Sequence, residues 1–347
     1  MYIKKILAVI AVVGVIAGGI FAYIVYNAIF SPNTAFNNEE AHLYVSKEDT
    51  FKDVLEDITP LLKDVASFVS VAQKKQYDSN VKSGHFIIKK GMNNNEIINA
   101  IRLRGVPVKI SFNNQERLEN LAGRIASQLD VDSLSLLTAM KDPVFLKEQG
   151  FNEDTALTMY IPNSYEFYWG TSAEGVRSKM LKEYTSFWNK KRLAQAKKLN
   201  LTQQEVYTIA SIVQKETAKV DERPRVAGVY LNRLKDGIKL DADPTVIYAV
   251  KKTKDDWDMV IKRVLYRDLE TVSPYNTYKN AGVPPGPIFM PDVSAIDAVL
   301  NPEEHKYYYF VADVTNFGYH KFAKTLSQHN ANSAAYRKWI NSQGVHR

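Results

Sequence analysis

The stretch IASIVQKETAKVDERPRVAGVYLNRL, Ile209 to Leu234, opens as an amphipathic helix and runs into three carboxylates, Glu216, Asp221 and Glu222. Val206, Ile209, Ala210 and Val213 recur at i, i+3, i+4 and i+7, the spacing of one buried helix face. The pattern predicts a helix over 203–219. At about 100° per residue, Glu216 falls about 60° from Val213, at the edge of that face, whereas Gln214 and Lys215 point elsewhere. A carboxyl group at such an edge is partly desolvated, which raises its pKa and lets it hold a proton near neutrality. Asp221 and Glu222 lie in a charged DER run and read as local structure, capping the next helix or pairing with Arg223 and Arg225.

Downstream, LDADPTVIYAV (Leu240 to Val250) is a turn entering an apolar run. SPYNTYKNAGVPPGPI (Ser273 to Ile288) is rich in proline, glycine and tyrosine, the composition of a long ordered loop. YYYFVA (Tyr307 to Ala312) reads as a strand, with a hairpin-like return at Tyr319 to Phe322.

Upstream, Val106 to Asn200 is mostly helical, broken at MYIPNSYEFYW by an aromatic loop or short strands. Between His42 and Gly105 a smaller strand-and-helix module is expected. Thr50 and Asp53 form a capping-box pattern there, His85 to Ile88 a strand, and Glu96 to Leu103 a short helix. SPNTAFNNEE (Ser31 to Glu40) is a polar linker.

The chain begins MYIKK, followed by twenty uncharged residues, Ile6 to Val25. At about 1.5 Å per residue that run spans roughly 30 Å, a bilayer's hydrocarbon core. It is longer than the apolar region of a signal peptide, about 7–15 residues, and ends in AYIVYNAIF without a small-x-small site. An uncleaved single-pass anchor is therefore expected. Lys4 and Lys5 favour a cytoplasmic N-terminus, with everything beyond residue 31 on the outer side of the cytoplasmic membrane.

The fold class read from these elements is α+β, with an N-terminal transmembrane helix, a small αβ module and a larger, mostly helical domain with short strands. The expected divisions are 1–31 stub and anchor, 32–41 linker, 42–108 small module and 109–347 catalytic domain, with its core at 201–330.

Composition removes several chemistries. The absence of cysteine excludes disulfides, thiolate metal sites and cysteine nucleophiles. The six histidines, at 42, 85, 305, 320, 329 and 346, show no metal-ligand spacing, so no metal or other cofactor is expected. Serine-hydrolase elbows, P-loops and dinucleotide fingerprints are missing. The net charge of +7 suits an anionic wall or lipid surface. Lysine and arginine are spread along the whole chain, so nucleic acid is not expected as a partner. Carboxylate chemistry remains.

The blocks IASIVQKETAKVDERPRVAGVYLNRL, LDADPTVIYAV and SPYNTYKNAGVPPGPI, in that order and spacing, resemble the YceG-like endolytic murein transglycosylases. The terminal YFVAD…HKFAKTLSQHN resembles the end of that family's domain. SGHFIIKKGMNNNEIINAIRLRG resembles its LysM-like module more weakly, as does YIPNSYEFYW the matching family segment.

The resemblance implies a membrane-anchored lyase. It would cut nascent peptidoglycan strands between N-acetylmuramic acid and N-acetylglucosamine, leaving 1,6-anhydro-muramyl ends, beside the wall synthases. It also assigns the catalytic role to the glutamate of the KET triplet, Glu216. The family commonly carries EKET, whereas this chain has Gln214 at the first position, so Glu216 stands alone. Asn232, Asp243, Thr245, Tyr248, Tyr275, Asn276, Thr277 and Tyr278 match family positions that could orient the sugar. Asp243 before Pro244 is equally an Asx turn, Gly282 to Gly286 reads as loop shape, and His320 and His329 with Asn330 read either as cleft residues or as satisfied surface residues. A lysozyme-like muramidase with Asp221, Asp241 or Asp243 as second carboxylate is the enzymatic alternative. A non-catalytic peptidoglycan-binding scaffold is the other.

Overall fold

The computed structural model describes residues 2–342. It divides into two compact units. The first runs to Ile110 and includes Gln128–Val131 and Tyr165–Ser172; the second holds Ser111–Ser127, Asp132–Ser164 and the chain from Ala173 onward.

The first unit opens with α1 (Tyr2–Phe30), a helix long and apolar enough to cross a membrane. Its exposed flank is continuous until Asn27, Ala28 and Ile29, which turn half-buried, with Ile29 packing on the unit's core. β1 (Glu40–Val45) pairs antiparallel with β2 (Gly84–Lys89), Leu43 opposite Phe86 and Val45 opposite Gly84. Between them lie α2 (Phe51–Ile58) and α3 (Val65–Lys74), and α4 (Asn94–Arg102) follows β2. The expected cap forms at α2, and α4 carries one of the same kind. The Asp53 carboxylate accepts from the Thr50 N–H at 2.7 Å, and Asn93 and Glu96 cap α4 reciprocally. Leu43, Val54, Ile58, Phe68, Ile88 and Ile98 fill the space between strands and helices.

The polar stretch after α1 is held against the module. Asn33 accepts from the Asp64 N–H (2.7 Å) and donates to the Asn94 side chain (2.7 Å), which in turn donates to the Ala28 carbonyl (2.8 Å). Buried amides are tolerated only when so satisfied.

β3 (Pro107–Phe112) and β4 (Asn163–Tyr168) form a two-stranded sheet, and the chain passes from one unit to the other within each strand. The helical unit begins with α5 (Leu118–Ala126), α6 (Ser133–Met140) and α7 (Pro143–Glu148). Next come α8 (Ala173–Phe187), α9 (Lys190–Lys198), α10 (Gln203–Glu216) and α11 (Arg223–Lys235). α12 (Asp243–Lys254), α13 (Tyr266–Leu269) and α14 (Val293–Leu300) follow. The hairpin β5 (Tyr309–Ala312) and β6 (His320–Ala323), then α15 (Leu326–Ser342), complete it. The hairpin matches the strand-and-return pattern of the sequence.

α10 is the centre of this unit. Val206 through Val213 are all buried, and α11, α12 and α14 pack around it. A helix buried on every side cannot stay amphipathic, so Thr208 and Ser211 satisfy their polarity locally. The Ser211 hydroxyl donates to the Thr208 carbonyl (2.6 Å) and accepts the Ile288 N–H (3.1 Å), which ties the proline-rich loop to the helix. The helix ends at Glu216, not at 219 as its periodicity predicts. Thr217 leaves in an extended conformation (φ −138°, ψ 132°) and is itself buried. Glu216 is therefore a terminal helical residue, displayed where the backbone turns away.

Candidate active site

Glu216 projects from the end of α10 into a cleft of roughly 390 Å³. α11 contributes Tyr230 and Arg233, the turn before α12 contributes Leu240 and Asp241, and α12 contributes Asp243. Tyr278 comes from the long loop, Tyr308, Tyr309 and Phe310 from β5 and the residue before it, and Leu326 and His329 from α15.

The carboxyl group of Glu216 accepts a hydrogen bond from the Tyr230 hydroxyl at 2.7 Å. Burial pushes its pKa up to about 7, the Asp243 charge pushes the same way, and the Tyr230 hydrogen bond pulls against both. Tyr230 is itself held far toward its neutral form, by burial first and by the Glu216 charge next, so its O–H is a permanent donor. Glu216 can therefore be protonated or ionised near neutrality, which a proton-transfer catalyst requires.

Arg233, 7 % exposed, fixes the surrounding walls. Its guanidinium donates to the carbonyls of Tyr308 (2.6 Å), Lys239 (2.7 Å) and Leu240 (3.1 Å) and pairs with Asp241 at 2.9 Å. Asp241 adopts a left-handed conformation (φ 49°), which Asp tolerates better than most residues. Asp243 opens α12, where the positive end of the helix dipole favours an acidic residue, and accepts the Tyr278 hydroxyl at 2.7 Å. His329 stacks on Tyr309 (5.2 Å between centroids, 22° between planes), its Nδ1 buried without a partner among the described residues. Burial and the nearby Arg233 hold it toward the neutral imidazole.

The residues singled out in the sequence take four kinds of position. Glu216, Asp243 and Tyr278 share the cleft. Thr245, Asn276 and Thr277 are buried behind it. The Thr245 and Thr277 hydroxyls lie 2.8 Å apart, Thr277 also accepts the Ala242 N–H (3.0 Å), and the Asn276 amide donates to Leu269 and Thr271 carbonyls at 2.8 Å each. Tyr248 and Tyr275 line a second cleft of roughly 320 Å³ with Trp257, where the Tyr275 hydroxyl donates to Asp154 (2.8 Å). Asn232 faces a third groove and donates to the His305 and Tyr307 carbonyls (2.9 and 3.0 Å).

Glu222 is 4 % exposed and accepts from both the His320 N–H and its ring Nδ1. Asp221 accepts the Tyr319 hydroxyl at 3.1 Å. The Gln214 side chain accepts the Asp292 N–H at 3.2 Å. Gly286 lies so close to the Asp154 carbonyl that a Cβ there would collide with it, and this contact makes it a loop-shaping residue. No cluster of metal-ligating side chains occurs among the described residues, and His346 lies outside them.

Tyr230, Arg233 and Tyr309 are among the cleft residues that pattern reading does not single out, whereas His329, read as either a cleft or a surface residue, lines the cleft. Tyr230 and Arg233 stand three apart on α11 and share a face, a signal that becomes visible only once that face is known to look at Glu216.

A shielded carboxyl acid among aromatic walls is the equipment of an enzyme that works by proton transfer. The chain belongs to the YceG-like family, whose pattern matches residues 43–335. It is 32 % identical over 282 residues to a Bacillus subtilis endolytic murein transglycosylase, covering 76 % of this chain and 75 % of that one. It is 28 % identical over 308 residues to an endolytic murein transglycosylase of Streptococcus pneumoniae, covering 80 % of this chain but 54 % of the longer relative. The crystal structure of a yceG-like protein from Listeria monocytogenes is similar at a TM-score of 0.56 and 27 % identity, over 85 % of this chain and 99 % of that one.

Proposed function

We propose that this protein is a membrane-anchored lytic transglycosylase that cleaves peptidoglycan strands between N-acetylmuramic acid and N-acetylglucosamine and leaves 1,6-anhydro-muramyl ends. The relatives named endolytic murein transglycosylases support the general activity. The observation that carries the catalytic assignment is the Glu216 carboxyl, shielded in the cleft with its pKa pushed up to about 7. In the protonated form, Glu216 gives its proton to the glycosidic oxygen as the C1–O bond breaks. The substrate's own 2-acetamido group stabilises the cation at C1. The ionised carboxylate then takes the proton of the C6 hydroxyl as that oxygen bonds to C1, which restores the acid. Tyr230 holds the carboxyl in one orientation throughout, since its hydroxyl keeps its proton.

Asp243 and Tyr278 are proposed to orient the sugar from the opposite wall. Thr245, Asn276 and Thr277 would act through the frame that carries them, Tyr248 and Tyr275 from the adjoining cleft, and Asn232 by fixing the chain before β5. We read α1 as a single-pass anchor with its N-terminus in the cytoplasm, the first unit as a LysM-like module over about 42–108, and 109–347 as the catalytic domain beside wall synthases.

One observation favours a second reading. Asp241 and Asp243 line the same cleft as Glu216, so a second carboxylate is at hand for a muramidase that admits water. Mass spectrometry of a glycan digest separates the two. Anhydro-muramyl ends that vanish with Glu216→Gln are expected; reducing ends alone would establish the hydrolase instead.

A further inference from the structure

The first unit carries a cavity of roughly 570 Å³ that the reaction above does not use. Two pinned turns and the end of a helix build it. Gly105 sits so close to β2 that a Cβ would lie 2.7 Å from the His85 carbonyl, and the Val106 N–H donates to that same carbonyl at 2.8 Å. On the other side the chain turns tightly after β4. The Thr171 N–H and hydroxyl both donate to the Tyr168 carbonyl (3.1 and 2.6 Å), and Gly170 (φ +73°) lies against Ser83. These turns hold Lys82, Arg102 and Arg104 around one opening, with Tyr168 and Trp169 as its wall.

The charge is one-sided. No carboxylate lines the cavity, and none of the three cations has a carboxylate partner among the described residues. Arg104 sits over the Tyr168 ring, its Cζ 3.8 Å from the centroid, and a guanidinium's planar fork suits an anion met in bidentate fashion. The buried indole N–H of Trp169 has no partner among the described residues either. Like charges brought together without compensation repel, so an arrangement of this kind is completed by an anionic ligand.

We propose that this cavity binds the free carboxylates of the short peptides carried on wall glycan, so that the first unit grips the strand by its peptides. The inference rests on peptidoglycan being the substrate. The cavity is of the size that takes a discrete small group, about 300–1,000 Å³. Tyr168, Trp169 and Leu103 offer apolar surface that suits alanine methyl groups beside the carboxylate.

The test uses the full chain in detergent, carrying Glu216→Gln so that strands stay intact. Affinity is measured for peptide-bearing strands, for the same strands stripped of peptides by an amidase, and for a phosphodiester wall polymer. Stripping should weaken binding about tenfold or more, the effect of losing charge-assisted hydrogen bonds. Lys82→Ala with Arg104→Ala should produce the same loss on peptide-bearing strands and no change on stripped ones. Lys52→Ala, an exposed cation outside the cavity, should change neither. Equal affinity for stripped strands, an unaffected double variant, or tighter binding of the phosphodiester polymer would each overturn the proposal. Cleavage by the chain with Glu216 intact is followed in parallel. Absence of both cleavage and any glycan binding would instead defeat the peptidoglycan reading itself.

Discussion

The Tyr230 hydroxyl donates to Glu216 across 2.7 Å, joining the middle of α11 to the last residue of α10. That bond favours the ionised carboxyl, whereas burial and Asp243 favour the protonated one. Three opposed influences on a single group give predictions of opposite sign.

The first concerns the pH profile. Protonated Glu216 starts the reaction, so kcat/KM should fall as pH rises through about 7. In Tyr230→Phe the carboxylate loses its donor, and the falling limb should move up by about one pH unit while kcat drops about tenfold. Asp243→Asn removes a repelling charge, and the limb should move down. Identical profiles for both variants would dissociate Glu216 from the limb.

Stability should carry the same signature. The folded-state pKa of Glu216 lies above its ordinary value of 4.5. The stability tied to that group is present below about 4.5 and lost as pH rises through about 7. Glu216→Gln should therefore leave Tm unchanged near pH 4.5 and raise it at pH 8, by about 2–4 °C per kcal/mol recovered. Calorimetry at the two pH values checks this.

Asn276 bears on the frame behind the cleft. Its amide satisfies the Leu269 and Thr271 carbonyls from a fully buried position. Asn276→Ala should cost about 1–3 kcal/mol of stability in a denaturant titration. The KM of the protein that remains folded should rise as well, since Asn276 Oδ1 accepts the Tyr278 N–H at 3.0 Å and so holds that cleft residue in place.

Gly286 offers a steric test. Any Cβ at this position meets the Asp154 backbone carbonyl. Gly286→Ala should destabilise by about 1–3 kcal/mol as loop and neighbour shift apart. Gly237, with no atom within 4 Å of its added Cβ, is the comparison, its φ of +68° leaving backbone strain as the sole penalty. A smaller loss at Gly286 than at Gly237 would contradict the close approach.

Much of this was legible in the chain because local physics enforces it. Thr50 with Asp53 marks a helix start through hydrogen bonds alone, whereas α4 begins at Asn94, two residues before the expected Glu96, with Asn93 as its cap. The apolar length of α1 needs no partner to be read. The Val206 to Val213 run marks a buried helix, but all eight of its residues are buried, so the place of Glu216 comes from the helix end and not from the edge of an apolar face. What could not be read depends on distant chain. The helix stops at Glu216, where Thr217 turns extended and is buried by packing that periodicity does not contain. Tyr275 and Tyr278 are three residues apart, yet they line different clefts, because the turn between them is fixed by Asn276 and by the Thr277–Thr245 contact. His329 reaches the cleft only because the β5–β6 hairpin presents Tyr309 for it to stack on.

The amide chain from Ala28 through Asn94 to Asn33 has a mechanical meaning. It replaces a swivel with a weld. If α1 spans a bilayer, the first folded unit stands at a set height above the lipid headgroups and tilts when the helix tilts. Membrane thickness, by changing that tilt, would then reset how far from the surface a strand is gripped.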